Sequence, residues 1–111
     1  AGSKTVTRRQ WTPGHAARFT PGMLVDAWNT SPRNVHMNPR KVATIRIGHV
    51  SKNSLFPPAD YTREGFTYMT AHGLNVGKET PDEVWERWRR DRPELYVVRF
   101  EVVEYLEGPL A

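Results

Sequence analysis

Cysteine is absent from this chain. That excludes disulfides, thiolate metal sites and thiol nucleophiles, and an uncrosslinked small domain suits the cytosol, so a cytoplasmic location is expected. No apolar run approaches the length of a membrane span and no signal-peptide pattern is present, so no membrane partner is expected. The chain opens on Ala1 without a methionine, which points to processing, truncation or an added Ala-Gly-Ser. His15, His36, His49 and His72 lack the spacing of metal ligands, and neither a metal nor a cofactor is expected. Acidic residues are nearly missing from the first half. Residues 1–52 hold Asp26 alone against nine Lys and Arg, about +8, whereas residues 53–111 stand near −4. Such asymmetry suits a polyanion or a phosphate-bearing ligand, or simply a solvated basic face.

What is present amounts to one domain spanning residues 1–111, large enough for a core but not for two. Gly2 to Arg9 is a short β-prone run carrying an amine, hydroxyls and guanidiniums. Alternation in a strand puts Thr5, Thr7 and Arg9 on one face and Lys4, Val6 and Arg8 on the other. A regular strand therefore separates Lys4 from Thr7 unless the chain turns between them. Trp11-Thr12-Pro13-Gly14 and Phe19-Thr20-Pro21-Gly22 read as turns, with a loop or helical turn around Ala16 and Ala17.

Met23–Trp28 reads as a strand, and Asn29–Lys41 as a long basic loop. Val42–Val50 is a strand with Ala43, Ile45 and Ile47 towards a core and Thr44 and Arg46 outward, ending near a partly buried His49. Pro57-Pro58 suits entry into a helix over Ala59–His72, weakened by Gly65. Thr80-Pro81-Asp82-Glu83 is a helix start with a capping box; the helix runs to about Asp91 and buries Val84, Trp85 and Trp88. Leu95–Tyr105 is a final strand with Tyr96, Val98, Phe100 and Val102 opposite Arg99 and Glu101. Strands interleaved with short helices and long loops predict an α+β fold, a small curved sheet or barrel with helices at its rim.

The residues also carry a likeness. Gly2, Lys4 and Arg9 match the opening Gly-x-Lys-x-x-Glu-x-Arg motif of ASCH domains, members of the PUA-like superfamily, which the chain resembles along nearly its whole length. Thr7 stands at the motif's Glu position, as in the N4-acetylcytidine amidohydrolase branch. Pro21-Gly22-Met23-Leu24-Val25, Arg63-Glu64-Gly65-Phe66 and Leu95-Tyr96-Val97-Val98-Arg99-Phe100 resemble later family segments in order. The resemblance implies a PUA-like fold and a catalytic group of Lys4, Thr7 and Glu64, hydrolysing an acylated nucleobase amide in a nucleoside or RNA.

A threonine hydroxyl needs an adjacent base, and a lysine serves only if burial or neighbouring cations, such as Arg8 and Arg9, lower its pKa. Glu64 then shuttles a proton or orients Lys4. Arg9, Trp28 and Arg46 are the candidate substrate-binding residues, with Trp28 or Trp11 stacking a base. Arg9 alternatively pairs with Glu64 or Asp26. The competing expectations are an RNA-binding or ribonuclease module tracking phosphates with Arg33, Arg40, Lys41 and Arg46, and a non-catalytic binder of a modified nucleotide.

Overall fold

The computed structural model describes residues 4–28 and 40–106. The elements in chain order are β1 (Val6–Arg9), α1 (Pro13–Ala16), β2 (Leu24–Trp28), β3 (Lys41–Asn53), α2 (Asp60–Arg63), α3 (Phe66–Ala71), α4 (Pro81–Asp91) and β4 (Leu95–Tyr105). The fold is α+β. Its strands form one antiparallel sheet in the order β1-β4-β3-β2. The expected barrel is not formed among the described residues: β1 and β2 are opposite edges of the sheet and do not pair. No described helix is long and apolar enough to cross a membrane. The reading of residues 29–39 as a loop, with Arg33 and His36, lies outside the described residues.

The central strand β4 departs from the simple alternation expected of it. Leu95, Val97 and Val98 are all buried, because both faces are covered where the strand begins. On one face lies the main core, Phe56, Phe66, Val84, Trp85 and Leu95, with Tyr61, Met69, Val76 and Trp88 against it. On the other, Trp11 stacks on Phe19 with ring centroids 4.8 Å apart and lies 6.4 Å from Tyr96. The Trp11 indole is thus used in packing beneath the α1 loop. Trp85 meets Phe56, Tyr61 and Phe66 edge-on, the geometry that the ring quadrupole favours.

α4 starts where its signal stands. The Thr80 hydroxyl accepts from the Glu83 N–H at 3.2 Å, and the Glu83 carboxylate accepts from the Thr80 N–H at 2.9 Å. The single helix expected over 59–72 is two short ones, α2 and α3, because Gly65 between them adopts φ +88°. A β-bulge between Ile47 and His49 turns β3, and His49 lies exposed there, not partly buried as expected. Gly48 at the bulge lets the backbone approach β4: a Cβ there would sit 3.3 Å from the Arg99 carbonyl oxygen.

Two backbone bonds fasten the start of β1. The Thr5 N–H donates to the Arg63 carbonyl at 2.8 Å, and the Thr5 carbonyl accepts from the Phe100 N–H at 2.9 Å. The first strand is thereby tied to both α2 and β4. Because a side chain at Gly65 meets the left-handed backbone penalty, Gly65→Ala is expected to lower the unfolding free energy by about 1–2 kcal/mol. Urea denaturation measures this, and an unchanged midpoint contradicts it.

Candidate functional site

Strand alternation sends Val6 and Arg8 to the helix-covered face, where both are buried. Arg8 has no solvent contact to speak of, with 1% of its side chain exposed. Its guanidinium donates from Nη1 to Glu64 Oε2 at 2.8 Å, and from Nη2 to Asp60 Oδ2 at 2.5 Å and the Leu55 carbonyl at 3.2 Å. The Phe56 and Trp85 rings lie against it, 5.3 and 5.9 Å from Cζ to centroid. A buried cation is expensive unless paired and hydrogen-bonded, and this one has two carboxylates and two aromatic faces.

Asp60 and Glu64 are one helical turn apart, the Glu64 N–H donating to the Asp60 carbonyl at 2.8 Å, so both carboxylates point the same way. Asp60 receives three guanidiniums. Besides Arg8, Arg99 donates through both Nη atoms, at 3.1 and 2.9 Å, and Arg63 at 3.4 Å. Burial alone would raise the Asp60 pKa, but the hydrogen bonds from Arg99 and Arg8 hold it down at about 2. The carboxylate is solvent-inaccessible yet shallow, because the Arg63 and Arg99 side chains covering it are 53% and 40% exposed.

Lys4 completes the cluster. Its Nζ donates to the Glu64 carbonyl at 2.8 Å and the Val6 carbonyl at 3.1 Å, and lies 3.6 Å from Glu64 Oε1. Its stem passes over Gly65, with Lys4 Cβ 3.5 Å from the position of a Gly65 Cβ. Desolvation lowers the Lys4 pKa below the ordinary lysine value; Glu64 opposes this, while Arg9 and Arg8 reinforce it. The side chain remains 44% exposed, so the amine is crowded but reachable.

Of the residues expected at one site, the structure brings Lys4 and Glu64 together. Thr7 lies between Val6 and Arg8 in the strand, so its side chain leaves from the opposite face. Its hydroxyl is buried and has no hydrogen bond among the described residues. Arg9 is exposed and donates to the Arg8 carbonyl at 2.9 Å. The ion-pair role considered for Arg9 falls instead to Arg8 with Glu64, while Asp26 pairs with Lys41 at 3.0 Å. Arg46 sits two strands from β1 and pairs with Glu101 at 2.6 Å. Trp28, 42% exposed, ends β2 at the far edge of the sheet.

Sequence reasoning missed Asp60 and Arg99, and named Arg8 only as a cation beside Lys4, not as the buried partner of both carboxylates. Two signals pointed to Asp60 and to the inward side chain of Arg8, and none to Arg99: the i, i+4 spacing of Asp60 and Glu64, and the shared strand parity of Arg8 with Val6. A cleft of about 360 Å³ opens elsewhere, between Arg8, Gln10, Arg87, Trp88 and the start of β4, and neither Lys4 nor Glu64 lines it. Its charged walls are already engaged, Arg87 with Glu79 and Glu94 with Lys52. The group that solvent reaches is therefore Lys4, held by the buried Glu64. No group of acidic and histidine side chains suited to a metal occurs among the described residues.

Folding depresses the Asp60 pKa, so its contribution is complete above the unfolded value near 3.8 and is lost as pH falls towards 2. At 1.36 kcal/mol per pKa unit this amounts to about 2–3 kcal/mol at most. Asp60→Asn leaves Arg8 short of a buried counter-charge and is expected to cost about 3–5 kcal/mol at neutral pH. In urea unfolding the gap between the two proteins should narrow between pH 4 and 2, as the wild-type carboxylate protonates; a gap independent of pH contradicts this. Compared with known proteins, the chain matches no family model, no curated protein and no solved structure.

Proposed function

We propose that the chain is an ASCH-type, PUA-like amidohydrolase acting on an acylated nucleobase or nucleoside such as N4-acetylcytidine. The observation that carries the reading is the Lys4–Glu64 contact. An amine with a lowered pKa stands 3.6 Å from a carboxylate sixty positions along the chain. Both are residues that the likeness in sequence names for catalysis.

In this reading Lys4 is the general base. Its neutral form takes a proton from the nucleophile, and the ammonium so formed returns that proton to the departing exocyclic amine. Glu64 positions Lys4, because its other oxygen is committed to Arg8. The nucleophile departs from the expected threonine. A hydroxyl nucleophile needs its base within hydrogen-bond reach, and strand parity sends Thr7 to the other face. The proposal therefore gives the attack to water: hydroxide adds to the acyl carbon, the C–N bond breaks, and the products are a carboxylic acid and the free base.

The competing RNA-tracking reading has less support. Arg46 and Lys41 are each neutralised by a carboxylate, and Arg40 has an interaction of its own. Hydrolysis of N4-acetylcytidine, followed by chromatography, tests the proposal. Lys4→Ala is expected to lower turnover by about 10²–10⁴-fold. Thr7→Val should keep turnover of wild-type order. An inert wild type, or a fully active Lys4→Ala, removes the enzyme reading. A loss in Thr7→Val as large as that in Lys4→Ala returns the attack to Thr7.

A further inference from the structure

The cluster at Asp60 and Glu64 holds more positive than negative charge. Lys4, Arg8, Arg63 and Arg99 surround two carboxylates, a surplus of two with Lys4 protonated and of one with it neutral. Arg8 is sealed inside, so the surplus is presented by the three cations that reach solvent, Lys4, Arg63 and Arg99, which are 44%, 53% and 40% exposed. Asp60 already accepts from Arg8, Arg63 and both Nη atoms of Arg99, which uses its lone pairs. Arg63 commits a single N–H to this contact, and Arg99 commits two. The rest of each guanidinium fork is left for another acceptor.

Among the described residues, no neighbouring acid takes up this surplus. Glu101, two residues along β4 from Arg99, is paired with Arg46. Across the sheet from Arg99 stand Val6 and His49, neither of which is an anion. The open donors of Arg63 and Arg99 also lie beside the proposed hydrolytic pair. Their shared carboxylate, Asp60, is one helical turn from Glu64, a separation of about 5–6 Å between Cβ atoms.

From this we infer that the site takes a phosphate-bearing substrate, a nucleotide and not a bare nucleoside. The Arg63 and Arg99 forks hold the phosphate while Lys4, positioned by Glu64, faces the acylated base. Arginine forks suit this role, because their paired N–H groups match phosphate oxygens two at a time. The inference rests on the hydrolytic reading for the base end of the site, but the phosphate end is measurable without turnover.

Calorimetric titration with cytidine and with cytidine 5′-monophosphate at low salt tests it. The monophosphate should bind at least about tenfold more tightly, the effect of a single charge-assisted hydrogen bond. The advantage should shrink as salt rises. Arg63→Ala, which loses only a 3.4 Å contact on a half-exposed side chain, should fold and bring the two affinities together. Arg89→Ala, removing the same charge from the exposed face of α4, should leave the ratio unchanged. A dinucleotide with one internal phosphodiester separates the sources: equal affinity places the phosphate in a polymer, and weaker binding places it on a free nucleotide.

Equal affinities for cytidine and its monophosphate in the wild type overturn the inference, even if N4-acetylcytidine is hydrolysed. A strong phosphate preference with no hydrolysis of either acetylated compound keeps the inference and removes the enzyme reading. A preference that survives in Arg63→Ala but is lost in Arg89→Ala also overturns it, since the attraction would then come from α4.

Discussion

The structure turns on a guanidinium out of water. Arg8 occupies the seam between the first strand, the short helix α2 and the aromatic core, and each of its neighbours is there to make its burial tolerable. The charge cannot be desolvated alone, so Asp60 and Glu64 must both come to it. They do so only because one helical turn brings both carboxylates to a single side. The Pro57-Pro58 entry, the turn of α2 and the left-handed break at Gly65 are the local geometry that this pairing requires. Replacement of such a network by apolar residues can be neutral or stabilising, so its value here lies in register and position as much as in free energy.

That position has a chemical consequence. With Glu64 pinned by Arg8, its second oxygen and its carbonyl form a fixed frame for Lys4. A flexible surface lysine becomes a located amine in a crowded setting, where its charged form is disfavoured. The same pinning consumes the acidic capacity of the cluster and leaves cationic forks at its rim. Ion-pair architecture and the proposed ligand chemistry thus have one origin: two acids lie inside, and four cations gather round them.

Much of the fold was legible in the sequence where local rules act alone. The capping box at Thr80, the stop before Pro93 and the length of β4 stand as the pattern indicates. The closure of the sheet was not legible, since pairing between distant strands leaves no mark on either one. Gly65 shows a signal underweighted: one glycine in a helical pattern reads as a weakness, whereas with φ +88° it is a boundary. At the site, alternation alone foretold that Thr7 and Lys4 would part. The likeness in sequence drew attention to Arg9, yet parity with the buried Val6 marks Arg8 as the inward cation. Arg99 was hidden because alternation along β4 set it with Glu101 on the face opposite Tyr96, Val98, Phe100 and Val102, and its pairing with the distant Asp60 leaves no mark on that pattern.

The account stands on the coupling between Arg8 and Glu64, which a double-mutant cycle of Arg8→Met and Glu64→Gln measures by urea unfolding. Their 2.8 Å contact, with both side chains no more than 2% exposed, calls for strong non-additivity. A coupling energy of about 2 kcal/mol or more is expected. Additive effects would contradict the account, leaving Glu64 without its anchor and Lys4 without its frame.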